Sequence, residues 1–225
     1  MTKNSSILRL VRIIGFAFTL IVCSWVFNQQ FDVTLSILII VGGVLGVFPA
    51  SWIGRMILDA HPTIDRTAWV TTIVHYALMI LFGAAIIEAI QVGQVWPGWV
   101  IPLPAELGLA LMVVTGPVVL LTVVNLALQG FGAPFAIALS QRLAMNWLYA
   151  WTRNPMVLSF LAFLIAVGLW LRSALFVLWV VVLVMPAWLM FLKVYEEREL
   201  EIRFGASYLE YKAKTPMLWP RKPKA

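Results

Sequence analysis

The sequence predicts an all-α fold, a polytopic helical membrane protein with about six transmembrane helices and a C-terminal amphipathic surface helix. Of its 225 residues 62% are hydrophobic and 12% charged, and the mean hydropathy of +0.95 is far above that of soluble domains. The apolar residues fall into stretches of about 20, the length that crosses a bilayer as a helix. Only after Leu192 does the pattern become amphipathic. A single integral membrane domain over residues 1–225 follows, with no room for a separate soluble domain.

Six apolar stretches, taken in chain order, predict the crossings. The first begins near Ile7 without a small-x-small cleavage site, so a retained helix is expected rather than a signal peptide. It contains the one cysteine, Cys23, which excludes an internal disulfide and a cysteine-rich metal site. The scattered Asp59, His61 and Asp65 do not predict a metal site either. The predicted crossings are residues 7–27, 34–54, 69–91, 106–129, 155–171 and 174–192.

Charge placement predicts the orientation. With the N terminus inside, fifteen of the sixteen lysines and arginines, all but Arg172, fall on the cytoplasmic side, as the positive-inside rule requires. Both termini are therefore expected in the cytoplasm, and the protein in a prokaryotic inner or plasma membrane. The pI near 9.8 is explained by contact of this basic face with membrane lipids that carry anionic headgroups, so it does not require nucleic acid.

Two polar motifs flank the last predicted hairpin, and they are where chemistry is expected. Because the hairpin crosses the membrane and returns, it brings both motifs to the same surface. The first, before the hairpin, is Tyr149-Ala150-Trp151-Thr152-Arg153-Asn154-Pro155, and the second, after it, is Glu196-Glu197-x-x-Leu200-x-x-x-Phe204-Gly205-x-x-Tyr208-x-x-Tyr211.

The second motif also predicts the surface helix. Its apolar residues recur at spacings of four, four and three, with charged residues between them, which is typical of a helix lying on the bilayer or on the bundle. A kink or a close backbone contact is expected at Gly205. Tyr208 and Tyr211 are expected to form part of the docking surface of this helix.

The two motifs together resemble the isoprenylcysteine carboxyl methyltransferase family and its phospholipid N-methyltransferase relatives. The resemblance covers residues 141–220, whereas residues 1–130 read as generic transmembrane helices. It implies an enzyme that transfers a methyl group from S-adenosyl-L-methionine to a lipid-like or membrane-partitioned acceptor at the cytoplasmic face. The region 131–220 would then bind the cofactor.

The resemblance also implies roles for individual residues. Arg153, Glu196 and Glu197 would be the catalytic residues: the carboxylates could hold the ribose hydroxyls or the ammonium group of the cofactor, and Arg153 could pair with its carboxylate or orient Glu196. For an amine acceptor, one of the glutamates is the nearest base. The implied cofactor-binding residues are Gln141, Leu143, Tyr149, Arg153, Asn154, Pro155, Met156, Glu196 and Glu197.

Departures from the family pattern keep the acceptor open between a carboxylate, an amine and a thiol. Trp147 stands where the family has glycine, and Leu192 stands where it has the arginine that binds the substrate carboxylate. Lys193 points about 100° away from Leu192 on a helix.

Two other hypotheses remain, an NADPH-dependent membrane reductase and a non-catalytic membrane scaffold. Within the third and fourth crossings, Glu88 and His75 are expected to be solvated or packed, and Asn125 to form an interhelical hydrogen bond.

Overall fold

The computed structural model describes residues 3–95, 99–130 and 140–223, and all of its regular elements are helices. The expectation of an all-α fold is confirmed. The longest elements are those whose sequences are continuously apolar, and the shortest lie in the polar motifs. The helices are α1 (Lys3–Phe27), α2 (Val33–Leu45), α3 (Val47–Ala60), α4 (Ile64–Val95), α5 (Ala105–Gly130), α6 (Leu148–Trp151), α7 (Pro155–Trp170), α8 (Ala174–Phe204) and α9 (Ala206–Lys214).

Within the described residues, five helical segments are long and apolar enough to cross a membrane, so the protein is an integral membrane protein. They are α1, the joined α2 and α3, α4, α5 and α8. The prediction of a crossing at 155–171 is only partly met, because α7 has 16 residues and rises about 24 Å, less than the hydrocarbon core of about 30 Å. Pro155 begins α7, and the left-handed φ of 55° at Arg172 ends the turn that follows it.

The connections between helices show which helix ends lie together. The backbone of Trp99 to Ile101, between α4 and α5, pairs with Arg172 to Ala174, between α7 and α8, including a bridge of Val100 with Ser173. At the opposite end, Arg55 of α3 and Arg198 of α8 both bind Asp59, at 2.5 and 2.7 Å. Arg55 and Arg198 therefore lie together at the end of the bundle opposite the connection that contains Arg172.

The long helix α8 contains two π-helical turns. The first, Val180–Val184, precedes Pro186, whose missing N–H cannot continue the α-helical ladder. The second, Leu192–Glu196, has no proline to cause it; Glu197 N–H donates to the carbonyl of Leu192. Instead, Arg55 Nη1 donates to the carbonyl of Val194 at 3.0 Å. A tertiary contact thus accompanies the turn that ends at the second motif.

The interior lies between α4, α7 and α8, with α5 packed along α7 on the outside. Gly108 of α5 permits that packing, since a Cβ atom there would lie 2.2 Å from the backbone nitrogen of Trp170. Apolar side chains of α1, α2 and α5 that point outward stay exposed, as expected of a lipid-facing surface. Glu88 is buried and accepts a hydrogen bond from Ser36 at 2.6 Å, so the packed alternative holds for this residue.

The segment before the first motif is mostly irregular. Of its described residues, 140–152, only Leu148–Trp151 are helical. The expected kink at Gly205 is confirmed, because its φ of +54° separates α8 from α9.

Candidate active site

A cavity of about 410 Å³ opens where the two polar motifs meet. Its wall comes from α1, α4, α7, α8 and α9 and from the segment before α6. One end carries most of its charged and phenolic side chains, and we call this the polar end: Tyr149, Arg153, Glu196, Glu197, Glu199, Arg203, Tyr208 and Tyr211. The other end is almost wholly apolar, and we call it the apolar end: Thr19, Leu20, Cys23, Leu78, Met79, Phe82, Gly83, Ile86, Phe160 and Trp188.

Arg153 is the centre of the polar end. Its Nη1 lies 2.7 Å from Oε1 of Glu197 and donates to the hydroxyl of Tyr208 at 2.9 Å. Its Nε donates to the carbonyl of Thr215 at 3.1 Å, and its backbone N–H to that of Pro216. The hairpin therefore brings the two motifs into contact. Of the two adjacent glutamates, Arg153 pairs with Glu197 and not with Glu196.

The segment that carries Arg153 is itself fixed from several sides. Asn125 of α5 accepts the backbone N–H of Leu148 at 3.2 Å, which anchors the start of α6 and meets the expectation of an interhelical bond. Tyr211 donates from its hydroxyl to the carbonyl of Tyr149 at 2.6 Å. The tail after α9 closes the arrangement, because the carbonyl of Met217 accepts from both Thr152 and Asn154.

The adjacent carboxylates Glu196 and Glu197 have different surroundings. Glu197 is bound twice, to Arg153 and to Lys212 Nζ at 2.6 Å. Glu196 lines the same cavity, yet within the described residues it has neither a hydrogen bond nor an ion pair. The two ion pairs of Glu197 therefore hold α8, α9 and the first motif together. Glu196 is left with an unshared carboxylate that faces the cavity.

Glu199 and Arg203 form a further ion pair at 2.5 Å on the wall of the cavity. Glu199 is only 3% exposed, and Arg203 also donates to the carbonyl of Ser140. Neither residue was predicted as a site residue from the two motifs. A signal was present, since Glu199 follows Glu196 by three residues and Arg203 follows Glu199 by four, which places all three on one helix face.

The phenols of the polar end are held in their neutral form. Burial raises the pKa of Tyr149 and Tyr211 above the ordinary value, and the nearby Glu196 and Tyr149, respectively, raise it further. Burial also raises the pKa of Tyr208, which the cation Arg153 only partly offsets. These hydroxyls therefore remain hydrogen-bond donors at neutral pH. Tyr208 and Tyr211 dock α9, as expected, and in addition line the cavity.

Comparison with protein families favours the methyltransferase over the reductase and the scaffold as the class of this protein. Residues 104–207 match the model of the phospholipid methyltransferase family, PEMT. The match runs from the start of α5 into α9, so it contains α7, α8 and the carboxylates and arginine described above. Over these residues, just under half of the 225-residue chain, the sequence is similar to the phospholipid methyltransferase family. No match was found among curated proteins or among solved structures.

The protein is accordingly a membrane methyltransferase, and the resemblance to its phospholipid methyltransferase relatives is confirmed. Similarity to the isoprenylcysteine carboxyl methyltransferases stays a prediction. So do the roles of individual residues, although the structure shows where each lies. Of the residues predicted to bind the cofactor, Leu143, Tyr149, Arg153, Asn154, Met156, Glu196 and Glu197 line the cavity of this methyltransferase.

The two other predicted residues lie away from the cavity wall. Gln141 is exposed, and its backbone N–H donates to the carbonyl of Gly130. Pro155 is buried at the first turn of α7, where its missing N–H costs nothing. In the methyltransferase both residues shape the loop and the helix that carry the cavity residues.

The structure shows the surroundings of two residues, Leu192 and Trp147, that depart from the isoprenylcysteine carboxyl methyltransferase pattern. Leu192 is 1% exposed and lines the cavity, whereas Lys193 is exposed outside it, as the helix geometry predicts. Trp147 has a φ of 56°, in the left-handed region that glycine adopts without strain. The backbone at Trp147 therefore disfavours a side chain, at the position where the predicted likeness to the isoprenylcysteine carboxyl methyltransferases implies glycine.

Proposed function

We propose that the protein transfers a methyl group from S-adenosyl-L-methionine to a lipid-like or membrane-partitioned acceptor at the cytoplasmic membrane face. The observation that carries the proposal is a single cavity that joins the unshared carboxylate of Glu196 to an apolar interior. A polar cofactor and an apolar acceptor could meet there without either leaving its preferred surroundings.

The polar end fits such a cofactor in chemistry. The whole cavity, at about 410 Å³, falls in the range of small-molecule sites, about 300–1,000 Å³. S-adenosyl-L-methionine when bound supplies an electrophilic methyl group next to a sulfonium cation. Glu196 is the group proposed to accept hydrogen bonds from its hydroxyl or ammonium groups, and Tyr149 and Met156 to contact the rest. In a partly dehydrated site such charge-assisted bonds are strong.

The remaining residues of the polar end are proposed to position rather than to react. Arg153 holds Glu197, Tyr208 and the tail after α9 at once, so it fixes the shape of the cavity mouth. Methyl transfer requires alignment of two reactants and exclusion of water more than it requires a protein nucleophile. The network that immobilises the mouth of the cavity is proposed to align the reactants, and the apolar wall is proposed to exclude water.

The cytoplasmic placement is supported by charge. The cavity's polar end lies at the end of the bundle where Arg55, Arg198 and Lys212 gather, and that end faces the cytoplasm by the positive-inside rule. Arg172, the cation assigned to the outer side, lies in the opposite connection. The two termini are proposed to be cytoplasmic on the same ground, and the membrane to be a prokaryotic inner or plasma membrane.

Calorimetry on the purified protein in detergent tests the proposal. S-adenosyl-L-methionine should bind and NADPH should not, which separates a methyltransferase from a reductase or a scaffold. Incubation with methyl-labelled cofactor and a membrane lipid extract should then label a lipid. Absence of cofactor binding at millimolar concentration would overturn the proposal, as would binding of NADPH in its place.

A further inference from the structure

His75 lies in α4 where the polar and apolar ends of the cavity join, and it lines the cavity wall. Its Nδ1 lies 2.9 Å from the carbonyl of Thr71. Because a carbonyl only accepts, Nδ1 carries the hydrogen and donates it, which leaves Nε2 as the acceptor nitrogen. Nε2 has no hydrogen-bond partner in the described part of the chain.

The imidazole is held in place by α8. Its ring meets Phe191 edge to face at 5.6 Å and Tyr195 at 6.5 Å. Thr71, one turn before His75, shares a 3.0 Å hydrogen bond with the hydroxyl of Tyr195. The residues next to these on α8, Leu192 and Glu196, line the same cavity. A fixed tautomer in a fixed orientation is what a positioned proton acceptor requires.

The charges around the cavity indicate which chemical class of acceptor can bind. Arg153, Arg203 and Lys212 are each bound to a glutamate among the described residues. Arg142 also interacts with a neighbouring group. Leu192 contributes no charge at the position where the likeness to the isoprenylcysteine carboxyl methyltransferases implies an arginine. A carboxylate acceptor would therefore enter a site that holds an unshared carboxylate, Glu196, and would meet cations that already have partners.

We infer that His75 is a further catalytic residue, whose Nε2 accepts the proton of an apolar-tailed acceptor with a proton-bearing reacting atom, an amine or a thiol. The inference rests on the proposed function. In the step, the lone pair of the acceptor atom forms the bond to the methyl carbon, the electron pair of the broken carbon–sulfur bond stays on sulfur, and the acceptor's proton moves to Nε2. The apolar end receives the tail.

A purely structural histidine would differ in a measurable way. The contacts with Phe191 and Tyr195 stabilise the α4–α8 interface, and the bond to Thr71 within α4 fixes the ring, whatever Nε2 does. His75→Phe keeps an aromatic ring at the interface and removes both nitrogens. The chain has two histidines, and His61 is exposed, so His61→Gln is a matched control that also leaves His75 as the single histidine for spectroscopy.

The first test needs no cofactor. Nitrogen-15 spectra of histidine-labelled His61→Gln protein in detergent should place the hydrogen of His75 on Nδ1. Addition of dodecylamine should move the Nε2 signal, and dodecanoate, with the same tail length, should not. An Nε2 signal that stays in place at saturating dodecylamine, or that moves equally with dodecanoate, overturns the inference.

The second test measures methyl transfer to dodecylamine and dodecanethiol from labelled cofactor. His75→Phe should lower kcat about 100-fold or more, the usual contribution of a general base, and leave cofactor affinity within twofold of wild type. Added imidazole should restore part of the rate of His75→Ala. Unchanged kcat in His75→Phe, no rescue in His75→Ala, or faster methylation of dodecanoate would overturn the role of His75 while leaving the proposed function intact. Loss of cofactor binding by the wild type would instead overturn the proposed function.

Discussion

The two ends of the cavity are built in different ways. The polar end is held by ion pairs and by hydrogen bonds that join residues 55 to 65 positions apart, such as those of Arg153 with the hydroxyl of Tyr208 and the backbone carbonyl of Thr215. The apolar end is formed by one face of each of α1, α4, α7 and α8, with few polar atoms. The difference teaches that the residues around the mouth of the cavity are fixed by specific bonds, whereas the apolar end is fixed by packing alone, which tolerates changes of volume better than loss of a partner.

The largest expected effect comes from breaking the network of the polar end. Arg153→Met leaves Glu197 with one of its two cations, in a site where the two side chains are 9% and 12% exposed. Removal of one partner from a buried pair costs about 3–5 kcal/mol, and the remaining Lys212 should hold the loss near 3 kcal/mol. Thermal unfolding in detergent measures it.

The exposed Arg9 supplies the control for that substitution, since Arg9→Met removes the same charge without a buried partner. Its unfolding temperature should stay near that of wild type. Equal shifts for the two variants would show that the Arg153 network does not fix the polar end.

A second effect concerns pH. Tyr149, Tyr208 and Tyr211 have a pKa above the ordinary value because they are buried, and the unfolded chain ionises them near pH 10. A raised pKa in the folded state gives stability that is fully present below the unfolded value and is lost as pH rises above it. Stability should therefore fall above about pH 10, by about 1.4 kcal/mol per pH unit for each tyrosine.

Unfolding temperatures between pH 8 and 11 measure this slope. Tyr149→Phe, which keeps the ring and leaves the Tyr211 bond to the backbone carbonyl in place, should flatten it. A slope that is the same in wild type and Tyr149→Phe would indicate that this phenol is not held neutral by the fold.

The smallest effect concerns the loop before α6. Trp147 is 61% exposed and has a positive φ. Trp147→Gly should relieve about 1 kcal/mol of backbone strain. Trp147→Ala removes the same side chain and keeps the strain, so the free energy of unfolding of the glycine variant should exceed that of the alanine variant. An alanine variant as stable as the glycine variant would contradict the assigned conformation.

The sequence predicted the fold and the meeting of the two motifs because hydrophobic length and charge placement are local properties. Spacing along the hairpin sufficed to bring Arg153 to the glutamates. The spacing did not predict which of the two glutamates pairs with Arg153, because that depends on the π-helical turn at Leu192–Glu196. No proline marks this turn in the sequence, and it is accompanied by a bond from Arg55 on a distant helix. His75 was missed as a site residue for a related reason, because its environment is made by a neighbouring helix, α8. Glu199 was missed although its helical spacing from Glu196 was a signal.

The central claim is that Glu196, and not the apolar end, holds the methyl donor. Calorimetry of three proteins with S-adenosyl-L-methionine tests it most directly: Glu196→Gln, Met79→Trp at the apolar end, and Glu210→Gln on the exposed face of α9. Glu196→Gln should weaken binding tenfold or more, about 1.4 kcal/mol, and the other two should bind within twofold of wild type. Wild-type affinity in Glu196→Gln, or a tenfold loss in Met79→Trp alone, would contradict the account.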